Sequence, residues 1–243
     1  MGNMQRLDKI LGNMGYGTRK ELKKIIKSGL VKVDGKVVTK SSIHVNPYKS
    51  IIEIYGDKIK YREYIYIMLN KPQGFISATF DKCHKTVLDL IDEKYYAFNP
   101  FPMGRLDIDT EGLLIITNDG KLSHQILSPK KHIPKTYYAH IDGRVTKEDI
   151  KAFKEGIVLD DGYKTLSSQL VIREIGEISK IELTIYEGKF HQVKRMFKAV
   201  GKKVLYLKRI AMGNLKLDES LGLGEYRELT EDEVQILKKG FEG

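Results

Sequence analysis

The strongest constraint on this chain is a series of short strand-like segments with no regular helical crossovers between them. Ile65–Leu69, Leu113–Thr117, Tyr137–Ile141, Gln169–Ile172, Lys180–Tyr186 and Val204–Leu207 are each of strand length. Several alternate apolar with polar side chains, the mark of an antiparallel sheet with one buried face. Helices are predicted at Lys121–Leu127, Lys147–Lys154, Phe190–Ala199 and Glu231–Lys239. Thr146 and Thr230 precede two of them as N-caps, and Glu233 completes a capping box behind Thr230. This order is α+β, since a βαβ chain would place a helix after each strand. The longest apolar run, Tyr64–Leu69, falls far short of the roughly 20 residues a membrane span requires. With 243 residues, 41% of them hydrophobic, the chain can build one or two cored domains, which excludes disorder throughout. The single cysteine, Cys83, can form neither an intrachain disulfide nor a cysteine zinc site. The N-terminal residues show no long apolar signal core, so a cytoplasmic location is expected.

Charge divides the chain unevenly. Residues 1–60 hold 13 Lys/Arg against 5 Asp/Glu, whereas residues 61–243 hold 29 against 27. A basic module ahead of a near-neutral body fits an anionic partner, nucleic acid first among them, or else a solvated lysine-rich surface. Leu7, Ile10, Leu11 and Met14 mark one face of a helix that Gly15 and Gly17 end. Thr18 and Glu21 form a capping box that starts a second helix, with Leu22, Ile25 and Ile26 inward and Gly29 at its end. Val31–Val33 and Lys36–Val38 flank Asp34-Gly35 as a hairpin. Lys20, Lys23, Lys24 and Lys27 share one helix face, with Arg19 nearby. Like charges so placed repel, and a polyanion would offset the repulsion. The run Arg6-Leu7-Asp8-Lys9, Gly15, Thr18-Arg19, Ile26, Gly29 and Val31-x-Val33-Asp34-Gly35 resembles the S4-like RNA-binding domain of ribosomal proteins. That resemblance implies an αα-hairpin with a small β piece that binds structured RNA, with Arg6, Lys9, Arg19, Lys20, Lys23, Lys24 and Lys27 as contacts. Thr18 stands where many members carry Ser.

Residues 58–63 read as a linker, giving domains 1–60 and 61–243. In the larger body the densest polar cluster is Gly104-Arg105-Leu106-Asp107-Ile108-Asp109-Thr110-Glu111-Gly112, ahead of Leu113–Ile116. Four readings compete. A calcium loop would place Asp107, Asp109, Glu111 and Gly112 at ligand positions, but Asn118 stands where a bidentate Glu is needed. A glycosidase-like pair would join Asp107 to Asp109 or Glu111, without the tryptophan platform sugars favour. A single reactive carboxylate beside Arg105 would serve a nucleic-acid substrate. A solvated acidic loop would do no chemistry. No second His lies at metal-ligand spacing from His191, and no glycine-rich phosphate loop occurs.

Asn70-Lys71-Pro72-Gln73-Gly74, the Gly104–Leu114 segment, Lys135-Thr136-Tyr137 and Gly188-Lys189-Phe190-His191-Gln192-Val193-Lys194-Arg195-Met196 occur in this order. Together they resemble an RNA pseudouridine synthase, and the likeness covers essentially the whole chain. The variant His191–Phe197 is similar to the RsuA type, which acts on small-subunit ribosomal RNA. The implied fold is a small αα-hairpin plus β RNA-binding domain followed by a mostly antiparallel mixed-sheet catalytic domain. The implied reaction is an isomerisation of uridine that needs no cofactor and no metal. By the same resemblance Asp107 is the catalytic carboxylate, attacking ribose or uracil or acting as a base; Lys194 pairs with it; and Tyr137 stacks on the flipped uracil. Arg105 fills the space the base vacates, and Lys71, Lys135, His191, Gln192 and Arg195 touch RNA. Asp109, Thr110 and Glu111 are expected to brace the loop. The implied partner is ribosomal RNA, 16S rRNA or a partly assembled small subunit, with no membrane and no obligate protein partner. Two other readings stand beside this one: the same enzyme acting on large-subunit RNA, and a non-catalytic ribosome-assembly factor. An intact Asp107, Tyr137 and Lys194 set argues against the second.

Overall fold

A computed structural model describes residues 4–239, which form two compact units. The first comprises the chain up to Ile65 together with Asp92–Pro100. Helices α1 (Leu7–Asn13) and α2 (Arg19–Lys27) carry the expected stripes, and Leu7, Ile10, Leu11, Leu22 and Ile26 are fully buried. The Thr18–Glu21 capping box is present, which satisfies donors at the start of α2. Strands β1 (Val31–Val33) and β2 (Lys36–Val37) meet at a turn whose Asp34 and Gly35 have φ of 51° and 78°. Positive φ at both central residues is what a type I′ hairpin demands. Strands β3 (Ile52–Ile54) and β4 (Asp57–Lys58) extend the sheet in the order β2-β1-β3-β4. The unit continues past residue 60. The Arg62 guanidinium lies 5.0 Å from the Phe98 ring and 5.8 Å from the Tyr95 ring, tying Asp92–Pro100 to what the sequence marks as a linker.

The second unit comprises Tyr66–Ile91 and the chain from Phe101 onward. Its main strands are β5 (Tyr66–Lys71), β6 (Glu111–Thr117), β7 (Lys135–Asp142), β8 (Gln169–Glu174), β9 (Ile178–Ile185), β10 (Lys203–Met212) and β11 (Tyr226–Glu228). They run in the order β8-β9-β7-β10-β6-β5-β11, with Phe101–Pro102 beside β6 and Leu215–Lys216 beside β10. Neighbours pair antiparallel except β10 with β6, which pair parallel. Every residue of β5 and β6 is buried, which explains why Tyr66–Leu69 and Leu113–Ile116 within them read as unbroken apolar runs. In β7, Tyr137, Ala139 and Ile141 are buried on one face while Thr136, Tyr138 and His140 occupy the other. Four helices, α3 (Gly120–Leu127), α4 (Lys147–Glu155), α5 (Gln192–Ala199) and α6 (Glu231–Lys239), complete the unit. Thr146 and Thr230 cap α4 and α6 as expected. Helix α5 starts two residues later than its periodicity predicts, because His191 adopts a left-handed φ of 48°. No helix among the described residues is long and apolar enough to cross a membrane.

The parallel crossing of β6 and β10 sits at Gly112, opposite Arg209. A Cβ there would lie 2.8 Å from the Arg209 nitrogen and closer still to its carbonyl oxygen, and the φ of +102° disfavours any side chain. Gly120 has open space and opens a helix. Gly112→Ala is therefore expected to destabilise the chain by about 3 kcal/mol or more. Gly120→Ala should be neutral or stabilising, and denaturant unfolding of the two variants side by side checks the contrast.

Candidate active site

The loop that follows Met103 is held from behind by β5 and the turn after it. Lys71 at the end of β5 is fully buried. Its ammonium donates to the carbonyl oxygens of Thr110 (2.9 Å), Pro72 (3.0 Å), Asp107 (3.1 Å) and Ile108 (3.4 Å). Burial pushes this ammonium down to about 8, against the pull of the Asp109, Asp107 and Glu111 carboxylates. Gly74 N–H donates to Ile108 O at 2.8 Å. The Ser77 hydroxyl both donates to Leu106 O and accepts from Leu106 N–H, each at 3.0 Å. The loop closes on itself through Thr110 N–H to Asp107 O at 3.0 Å. The Asn-Lys-Pro-x-Gly run is thus a cradle for the Asp107 loop. Lys71, expected to touch RNA, has no exposed surface and acts internally.

Asp107 projects from the loop into a cleft also lined by Arg105, Tyr137, His191 and Lys194. Its carboxylate lies 3.5 Å from Lys194 Nζ and 3.6 Å from His191 Nε2. Lys194 makes its shorter contact, 2.5 Å, with Asp109. The ammonium expected to pair with Asp107 is shared with Asp109, which holds the shorter contact. Burial pushes the Asp109 carboxyl up, but the hydrogen bond and charge of Lys194 outweigh it and hold Asp109 below its ordinary value. Glu111, the third acid of the loop, points away: it is buried and accepts a 2.7 Å hydrogen bond from the Tyr206 hydroxyl. The carboxylates therefore do not converge on a metal, and no group of three His, Cys, Asp or Glu among the described residues could hold one. Thr110 and Glu111 are buried, whereas Ile108 and Asp109 are exposed, so the loop is anchored at its end and solvated at its tip.

Tyr137 is buried on the cleft face of β7. Beside it Arg209, in register with Tyr137 on β10, is buried and donates from Nε to Leu113 O at 2.8 Å. Lys135 stands on the same wall; burial, then repulsion from Arg209, push its ammonium down to about 8, with Glu187 opposing. Arg105 is exposed at the mouth. The cleft widens to about 710 Å³ towards Tyr163, Lys189 and Phe190. A larger concavity of about 830 Å³ lies on the opposite sheet face around Thr136, Tyr138 and Tyr206, and holds none of the expected site residues.

Other expected RNA contacts turn out to be braces. Gln192 is buried, donating to Glu187 Oε1 and accepting from Lys189 N–H, both at 2.9 Å. Glu187 also accepts from the Tyr163 hydroxyl (2.6 Å) and Leu166 N–H (2.9 Å), so one buried carboxylate closes the loop ahead of α5. Arg195 is turned to Asp160 and Asp161. In the first unit Arg6 pairs with Asp8, whereas Lys9, Arg19, Lys20, Lys23, Lys24 and Lys27 are not buried. The sequence reading missed the clamping role of Lys71, the Glu187 anchor and Arg209; their buried charges are the only signal, and burial is visible in three dimensions alone. Lys71→Met should cost about 2–4 kcal/mol, because the loop carbonyls lose their shared donor. Its stability loss, read by denaturant unfolding, should exceed that of Lys189→Met, an exposed position.

Comparison with known proteins places this geometry. The profile of the RNA pseudouridylate synthase family matches residues 65–199, and that of the S4 domain matches residues 5–47. YtzG, an uncharacterized RNA pseudouridine synthase of Bacillus subtilis, is 50% identical over 236 residues, covering 96% of this chain and 98% of its own. The ribosomal small subunit pseudouridine synthase A of Vibrio cholerae is 43% identical, over 96% of this chain and 100% of its own. The ribosomal large subunit pseudouridine synthase B of Bacillus subtilis is 40% identical, over 97% and 96%. A crystal structure of a pseudouridylate synthase, 38% identical, superposes with a TM-score of 0.67 over 96% of this chain and 99% of that one. A family match over more than half of the chain, and relatives of this identity along nearly its whole length, make this chain a member of the RNA pseudouridine synthase family with an N-terminal S4 domain.

Proposed function

We propose that this chain isomerises a uridine of ribosomal RNA to pseudouridine, in the small-subunit 16S rRNA or an assembling small subunit. The observation that carries the reading is one carboxylate, Asp107, held between Lys194 and His191 in a cleft walled by Tyr137. The reaction breaks the C1′–N1 glycosidic bond, turns the uracil and joins C1′ to C5; the proton lost from C5 is balanced by one gained at N1. Atoms and charge are conserved, so no oxidant or co-substrate enters. Asp107 supplies the reactive carboxylate, as nucleophile or base. An RNA phosphate approaching Asp107 and Asp109 meets two negative charges, and the shared Lys194 ammonium offsets that repulsion. The target base must leave its stack to reach the cleft, at a cost of a few kcal/mol. The Tyr137 ring offers a face for it, Arg105 at the mouth takes up the space left behind, and Lys135 adds positive charge to the wall.

The choice of the small subunit rests on the run His191-Gln192-Val193-Lys194-Arg195-Met196-Phe197, which resembles the RsuA type. The large-subunit reading is supported by the 40% identity to a large-subunit enzyme, close to the 43% of a small-subunit one. Chemical-adduct mapping of pseudouridine, on 16S and on large-subunit rRNA incubated with the chain, separates them. One new stop in 16S rRNA is expected. A stop confined to large-subunit rRNA would replace the substrate and keep the chemistry. Asp107→Asn should abolish the stop and keep RNA affinity; a stop that persists would overturn the role of Asp107.

Delivery of the RNA is assigned to the S4 domain and its lysine ridge. Changing Lys20, Lys23, Lys24 and Lys27 together to Gln leaves the α2 core stripe intact. It should weaken rRNA binding and flatten its dependence on salt by about one unit of slope for each phosphate no longer neutralised. A filter-binding series in rising salt with an unchanged slope would remove that role. Deletion of residues 1–60 is the poorer test, since it would strip Asp92–Pro100 of its own unit.

A further inference from the structure

Phe190 is 70% exposed on the wall of the cleft. An exposed aromatic ring is by itself unremarkable. This one lies face to face on the His191 imidazole, with ring centroids 3.7 Å apart and planes 20° from parallel. His191 holds a left-handed backbone conformation, and its Nε2 is 3.6 Å from the Asp107 carboxylate. Carboxylate, imidazole and phenyl ring therefore form a run of contacts from Asp107 to an exposed aromatic ring. Next to it Lys189 Nζ sits 4.4 Å from the Tyr163 ring centre, so this rim carries positive charge as well.

A uridine turned into the cleft leaves its neighbour in the strand with one unstacked face. We propose that Phe190 is the stacking platform for the base adjoining the flipped uridine, a second base subsite beside the one walled by Tyr137. The proposal rests on the reading of this chain as a pseudouridine synthase. Stacking on an aromatic ring accepts any base, so the subsite adds affinity and holds the strand in register without reading sequence. Lys189, the preceding residue on the same cleft wall, brings positive charge for the phosphate of that nucleotide.

The chain contains no tryptophan, so a single introduced one is a clean optical reporter. Phe190→Trp and, as a control outside the cleft, Ile175→Trp would each be made in the Asp107→Asn background and titrated with a 16S rRNA transcript. Ile175 is 55% exposed. Quenching of the reporter at position 190 but not at 175 is expected. In the otherwise native chain, Phe190→Ala should raise KM for the transcript about tenfold with a smaller change in kcat, and Phe190→Tyr should restore KM. RNA bound by anisotropy with no quenching at position 190 would overturn the platform, while the wild type still making pseudouridine would leave the enzyme reading intact. Equal KM defects in Phe190→Ala and Phe190→Tyr would also overturn it, reducing the ring to a support for His191. Quenching by RNA that the wild type never modifies would keep the platform and overturn the enzyme reading. Transcript that does not bind at all would overturn both.

Discussion

The arrangement of the cleft depends on one buried ammonium. Lys71 has no access to water, and an isolated charge in that place would be strongly unfavourable. Four carbonyl oxygens take the place of solvent, and three of them belong to the loop that carries Asp107. The charge is thus tolerated only while the loop keeps its shape, and the loop keeps its shape because the charge is there. The loop is placed by contacts behind it, and the Asp107 carboxylate faces the cleft between Lys194 and His191.

The second organising element is the separation of three acids that lie within five residues. Glu111 begins β6 and turns to the face of the sheet occupied by Tyr206, which donates its hydroxyl and has its own phenol pushed up by burial and by that carboxylate. Asp109 is taken up by Lys194. Asp107 keeps the longer contacts, to Lys194 and His191. The alternation of a strand start and a tight turn thus distributes like charges to different surroundings. A cluster that looks like a cation site in one dimension does not converge in three.

Most of the secondary structure was legible because its causes are local. Capping boxes at Thr18 and Thr230, the N-cap at Thr146, the Asp34-Gly35 turn and the alternation of several strands were all visible as residue patterns. The parallel pairing of β6 with β10 was not, since nothing local to Gly112 announces which strand it will meet. The excursion Asp92–Pro100 was missed for the same reason: Arg62 reaches Tyr95 and Phe98 across some thirty residues of sequence. At the cleft, Asp107, Tyr137, His191 and Lys194, singled out by type and motif, line one space. Lys71 and Gln192 were misread as RNA contacts because a charged or amide side chain has the same letter whether it faces solvent or a ring of carbonyls.

The cradle around the Asp107 loop grips main-chain atoms only. Lys71 and Gly74 hold carbonyl oxygens, and Ser77 holds both polar backbone atoms of Leu106. Such a grip is indifferent to what the loop wears. Ile108 is already 41% exposed, so its side chain contributes little to the hold. Drift at that position would change the surface of the loop while leaving Asp107 in place. A scaffold of this kind can acquire new RNA partners by small steps, each one viable, without ever passing through a form in which the chemistry has come unmoored.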